Sequence, residues 1–291
     1  MLTAGYSVSD VQHLLALSHR TLNLTDGPLQ GYTQPYEDTS TLVLTAPSGF
    51  FVDIRFPLSS DGTKPLTSDP SFWAFTGRSC TTFDSDTSDA SMPYSAHVVF
   101  DHEVDSKGPG INDEGDMFML PNGDCIEVGI MRNPRSGKDE LYKEYWTAPL
   151  KMAGSSGGGG RLKLSPCVVA KTVERPSQDG GSVRNGRGAI IRIGDHCQGM
   201  LQRQSHDDQY ETLVERWLKS PVETKPAIEG VQSAAGEVSN PEWLKDWRSD
   251  TSADEQVDVP VPSMWVCAEK RKLGDEILAQ GATWRIVEMS I

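Results

Sequence analysis

The chain of 291 residues has no apolar run long enough to span a bilayer as a helix. Its first residues carry neither the basic stretch nor the apolar core of a secretory signal. Positive charge is scarce: 27 Lys and Arg stand against 41 Asp and Glu, a formal charge of −14. Bulk attraction to nucleic acid or to an anionic membrane is therefore not expected. The five cysteines, Cys80, Cys125, Cys167, Cys197 and Cys267, form no CxxC pair. An odd, dispersed set reads as free thiols in a reducing compartment, so a soluble cytoplasmic protein is expected.

Motifs for the commoner chemistries are also missing. The four glycines at 157–160 precede Arg161-Leu162 rather than Lys-Ser or Lys-Thr, which rules out a phosphate-binding loop of that type. Asn112, Glu114 and Asp116 alternate as in a calcium loop, but Met117 stands where such a loop needs glycine. His97, Asp101 and Glu103 share one face of a strand, yet no second histidine cluster accompanies them. No G-x-S-x-G and no Ser/His/Asp or Cys/His set stands out. Neither a cofactor nor a metal is expected.

What is present reads as all-β. "TLVLTAPSGFFVDIRF" (41–56) is strand, turn, strand, and "SAHVVFDHEVDS" (95–106) alternates well. "GAIIRIGDHCQGMLQRQ" (188–204) predicts a hairpin turning near Gly194-Asp195. "YETLVERWLKS", "SMWVCAEKR" and "ATWRIVEM" predict three further strands. Two helices are expected. One covers 7–20, where Val11, Leu14, Leu15 and Ser18 share a face, and the other is "NPEWLKDWR" (240–248), which sets Trp243 and Trp247 one turn apart as a lid or plug. The expected organisation is a helical extension at 1–35, a first barrel at 36–152, a Gly-rich linker and loop at 153–187, and a second barrel at 188–291. That second barrel carries an acidic insertion at 221–262.

The stretch "NDEGDMFMLPNGDCIEVGIMRNPRSG" (112–137) reads as a hairpin on a two-residue Asn122-Gly123 turn. That turn would pair Leu120 with Cys125 and Phe118 with Glu127, so Phe118, Leu120, Cys125 and Glu127 would share a face. In a lumen, Glu127 would be held protonated by desolvation and could serve as a general acid or donor. His102 falls in an apolar row with Phe100, either a satisfied core histidine or a functional one. Arg192, among Ile190, Ile191 and Ile193, and Arg55, on one face with Phe51 and Asp53, are candidates for binding a carbonyl or anionic oxygen, or else salt-bridge residues at the barrel mouth.

Several of these stretches occur together and in order: "TLVLTAPSGFFVDIRF", "WAFTG", "VDSK", "NGDCIEVGIMRNPRSG", "RGAIIRIGDHCQGMLQR", "VERW" and "WRIVE". As a set they resemble a fungal family of double lipocalin-like proteins whose yeast member is named for interacting with a casein kinase I. The resemblance spans about residues 41 to 288 and implies two consecutive lipocalin-like antiparallel β-barrels. At the level of fold alone it is similar to the hetero-Diels–Alderases of fungal tropolone–sesquiterpenoid pathways.

Three functions follow as expectations. The first is a cofactor-free pericyclase that joins a tropolone-derived heterodiene to a terpene. Here Phe100, Phe118, Leu120, Trp243 and Trp247 would bind substrate, and His102, Glu127 and Arg192 would supply donors. The second is a non-enzymatic adaptor for a casein-kinase-type protein kinase, served by the acidic stretches "SDTSDAS" (85–91) and "SDTSADEQ" (249–256). The third is a carrier of an apolar small molecule. An open lumen would favour the first and third, and a filled barrel the second.

Overall fold

A computed structural model describes residues 17–24, 39–58, 69–83, 95–120, 124–132, 137–147, 165–173, 186–204, 210–220, 242–248 and 261–290. Eight antiparallel strands close a barrel: β1 (Leu17–Leu24), β2 (Thr39–Thr45), β3 (Phe50–Pro57), β4 (Trp73–Phe83), β5 (Ser95–Asp105), β6 (Glu114–Met119), β7 (Cys125–Arg132) and β8 (Asp139–Thr147). A seven-stranded sheet follows, built from β9 (Cys167–Val173), β10 (Arg187–Ile193), β11 (His196–Gln204), β12 (Tyr210–Lys219), β13 (Trp243–Arg248), β14 (Glu276–Ala279) and β15 (Ala282–Ser290). Its spatial order is β13-β12-β11-β10-β9-β15-β14. One five-residue helix, α1 (Ser263–Cys267), packs on it.

The two-unit, nearly all-β architecture agrees with the sequence reading, but the second unit is a curled open sheet rather than a closed barrel. Four local expectations are corrected. Residues 167–173, assigned to the linker and loop, form β9, which pairs with both β10 and β15. Residues 17–20, assigned to a helix and to an extension outside the barrel, belong to β1, which pairs with both β2 and β8. Without it, β2 and β8 would each present an unpaired edge, and pairing those backbone groups outweighs a modest helical period. Residues 7–16 lie outside the described residues. The expected helix at 240–248 is strand β13 over its described part, laid along β12 with Trp243 opposite Lys219. Conversely, "SMWVC" is α1 and not a strand, with Val266 and Cys267 buried in the second core.

The strands β2 and β3 explain how the units join. Every residue of β3 is buried. On its outer face Val52 and Ile54, with Leu42 and Leu44 of β2, pack against Val169, Ile191, Met200 and Val214 of the second sheet. Each such side chain contributes roughly 1.5–3 kcal/mol on burial. Polar side chains of the second sheet help fix the docking, Gln198 and Arg216 among them. Gln198 Nε2 donates to the carbonyls of Leu42 (2.7 Å) and Val52 (2.8 Å). Arg216 donates to the carbonyl of Ile54 (2.7 Å) and to Ser40 Oγ (3.0 Å), and stacks over Phe56. Burial pushes the Arg216 guanidinium down to about 10. The inner faces of β2 and β3 turn instead into the barrel.

Candidate functional site: the lumen of the closed barrel

The lumen is built from alternate residues of each strand. Val43, Ala96, Val98, Met117, Cys125 and Trp146 form one apolar group inside it. Phe51, Trp73 and Phe75 form another, and Phe100 packs against both. Phe100 meets Phe51 edge to face at 5.4 Å. A cavity remains among these walls, with Val43, Phe51, Phe100, Met117 and Trp146 on its apolar side and Asp53, Arg55, Asp113, Glu127, Tyr142 and Glu144 on its polar side. The cavity itself is narrow; the empty space around it reaches about 810 Å³ only when open solvent is counted.

Glu127 is the centre of the polar side. It lies on β7 directly across from Glu144 of β8 and is 2 % exposed. Tyr142 Oη donates to its Oε1 (2.7 Å) and Trp146 Nε1 to its Oε2 (2.8 Å). Burial, then the nearby charges of Glu144 and Asp113, raise its pKa from an ordinary 4.5 to about 8, outweighing those two hydrogen bonds. At neutral pH Glu127 therefore holds a proton. The sequence makes room for this group with two glycines paired across β6 and β7, Gly115 and Gly129. A Cβ on Gly115 would sit 2.8 Å from Glu127 Oε1, and one on Gly129 would sit 2.5 Å from Tyr142 Oη. The space left by two missing side chains is filled by one tyrosine.

On β3, Arg55 donates through Nε (2.9 Å) and Nη2 (2.7 Å) to Asp53 Oδ2, and its Nη1 is 3.9 Å from Glu144 Oε1. The guanidinium lies over Trp73 and Phe75. Burial opposes its charge, but Asp53 and Glu144 outweigh that cost and hold it protonated.

His102 is reached through a bulge. Thr76 pairs with Val104 and Gly77 with His102, which leaves Glu103 as the extra residue of β5. The shift brings His102 and Asp105 together: Nδ1 is 2.7 Å from Asp105 Oδ2, and Nε2 is 3.1 Å from Asp113 Oδ2. The ring stacks on Phe75 at 4.1 Å. Burial works to lower its pKa, but the two aspartates prevail and raise it to about 9. His102 is thus a charged link behind the wall, and Asp113 carries its influence to the cavity.

The hairpin of β6 and β7 corrects the expected register. Leu120 N–H bonds the carbonyl of Asp124, Met119 pairs with Cys125, and Met117 pairs with Glu127. Three residues therefore separate the last paired positions, Leu120 and Asp124, and the pairing slips by one from the two-residue expectation. A slip of one exchanges the faces. Met117 joins Glu127 in the lumen, whereas Phe118 and Leu120 are not among the residues lining the cavity. Phe100 lies on its wall and Glu127 on its polar side. Arg192 and Trp243 sit elsewhere, on the second sheet. Arg192 donates to the carbonyl of Cys267 (3.1 Å) and stacks over Trp243, which packs on the second core. The side chain of Trp247, and the acidic stretches 85–91 and 249–256, lie outside the described residues. The face of Phe51, Asp53 and Arg55 read from the sequence does line the cavity, with Arg55 in a salt bridge to Asp53. Sequence reasoning missed Asp113, Tyr142, Glu144 and Trp146; for the last three the available signal was inward alternation on β8.

Sequence and structure comparisons agree with this fold. The family profile described as Protein HRI1 matches residues 29–288. The chain belongs to the HRI1 family. Among solved structures, this HRI1-family chain is similar to the crystal structure of uncharacterized protein YLR301w from Saccharomyces cerevisiae. The two are 15 % identical with a TM-score of 0.57, over 95 % of this chain and 100 % of the other. That likeness speaks to the fold. No curated protein sequence matches the HRI1-family chain. Among its described residues no helix is long and apolar enough to cross a membrane.

Proposed function

We propose that the closed barrel binds a small molecule whose apolar body lies along Phe100, Met117 and Val43 and whose polar end meets Glu127. The observation that carries this reading is a buried, protonated carboxyl on the wall of an aromatic-lined cavity. A cytoplasmic setting is part of the proposal, supported by five free cysteines, four of them buried. The test is binding of a neutral, environment-sensitive dye such as Nile red. Wild-type protein should enhance its fluorescence saturably, and Met117→Trp, which fills the lumen, should abolish the signal. Equal enhancement by both proteins would refute the reading.

A catalytic form of the same reading is favoured by one feature, the neutral acid itself. A cofactor-free cycloaddition needs a shaped apolar site and a donor for the carbonyl of the heterodiene, and protonated Glu127 is such a donor. In this form the protein would join a tropolone-derived heterodiene to a terpene, without help from Arg192 or Trp243. Incubation with a dehydrated tropolone precursor and a macrocyclic terpene tests it. An unchanged rate and unchanged stereochemistry would end the catalytic form.

A further inference from the structure

Glu127 is held by two neutral donors, Tyr142 and Trp146, while the charges acting on it, Glu144 and Asp113, are both negative. The cavity it faces has four carboxyl side chains on its wall and one arginine. That arginine is engaged within the wall, paired to Asp53 and stacked on Trp73 and Phe75. An anionic ligand would meet carboxylates first. A cationic one would meet Glu127 and Glu144 among the carboxyls and the rings of Phe51, Phe100 and Trp146 on the same wall, aromatic surroundings that suit an ammonium group.

We infer that the ligand of the barrel carries a protonated amine, seated against the Glu127–Glu144 pair with its apolar body along Phe100 and Met117. This rests on the binding reading above. The ammonium takes the electrostatic place of the proton on Glu127, so binding is an exchange: one cation enters, one proton leaves to the buffer, and no covalent bond changes. Among the described residues, the titratable groups around Glu127 are Cys125 on its own strand, Tyr142 and Glu144 of β8, Asp53 and Arg55 of β3, and Asp113 ahead of β6. Burial pushes Cys125 and Tyr142 up, and they stay neutral through the exchange. An amine so seated leaves no donor for a heterodiene, which separates simple binding from the catalytic form.

Calorimetry with three matched probes tests the inference: phenethylamine, 2-phenylethanol and phenylacetate. At neutral pH phenethylamine should bind about tenfold or more tighter than the alcohol, with phenylacetate weakest. Repeating the titration in two buffers of different ionisation heat should show release approaching one proton per amine bound, a measurement that needs no variant. In Glu127→Gln the proton release should vanish and the preference for the amine should shrink. Equal affinity for alcohol and amine, tighter binding of phenylacetate, or amine binding without proton release would overturn the inference and leave a binding cavity standing. If none of the three binds and Nile red is also silent, both fall together.

Discussion

Replacing Glu127 with glutamine should make the protein more stable in alkaline solution, although it removes a buried, doubly hydrogen-bonded side chain. The amide fits the same contacts. Trp146 can donate to the new Oε1, and Tyr142, whose hydroxyl is also 3.3 Å from the carbonyl of Glu114, can turn its hydrogen there and accept from the amide. The titration, however, is lost. In the wild type the folded state keeps the Glu127 proton up to about 8, whereas the unfolded chain releases it near 4.5. Between those values the folded state binds more protons than the unfolded one, so stability falls as pH rises and stays low above the folded value. From about pH 6 to about pH 9, linkage gives a loss of roughly 2–3 kcal/mol, a ceiling because so deeply buried a group titrates together with its neighbours. Urea unfolding of both proteins across that range, read as the difference between them, isolates this group from His102, which titrates in both. The glutamine variant should gain on the wild type by up to that amount. Parallel curves for the two proteins would refute the claim that Glu127 is protonated in its site.

Arg216→Ala should lower stability by about 2–4 kcal/mol in thermal or urea unfolding, since it removes a buried charged donor to the carbonyl of Ile54 and to Ser40 together with the stacking on Phe56. His102→Ala should cost about 3–5 kcal/mol at neutral pH by removing the buried cation between Asp105 and Asp113. Because its pKa is raised, the stability His102 contributes is fully present below its ordinary 6.5 and is lost as pH rises through about 9. The two proteins' unfolding free energies should therefore converge in alkali. Gly115→Ala drives a methyl group to 2.8 Å from Glu127, and should weaken phenethylamine binding while costing about 1–3 kcal/mol by overpacking. Phe118→Ala, on the outer face, should leave that binding unchanged; a large loss would restore the two-residue register.

The sequence made the fold class visible because alternation survives wherever one face meets water, as on β5 and β7. Its failures have physical causes. The pairing of Met117 with Glu127 depends on the length of one connection, and a single residue decides which face looks inward. Asp105 could not be joined to His102 from alternation, because the bulge at Glu103 reverses the face between them. The strand β1 carries a helical period and is overruled by the need to close a barrel. Trp243 and Trp247 read as one face of a helix from their spacing of four, but the segment pairs along β12 as a strand, with one extra residue between Lys245 and Trp247. The polar lining on β8 was overlooked since Tyr142, Glu144 and Trp146 look like ordinary edge residues until a barrel encloses them.

The shared wall has a consequence for how such a barrel can change over generations. Strands β2 and β3 present Val43, Phe51, Asp53 and Arg55 to the cavity and Leu42, Leu44, Val52 and Ile54 to the second sheet. No position there is free to vary, because a substitution on either face strikes one of two packed interiors. Strands β6 to β8 have half-buried or exposed outer residues such as Phe118, Ile130 and Leu141. A new ligand preference would therefore be reached by drift in β6 to β8, with the docked strands held constant as the fixed jaw of the site.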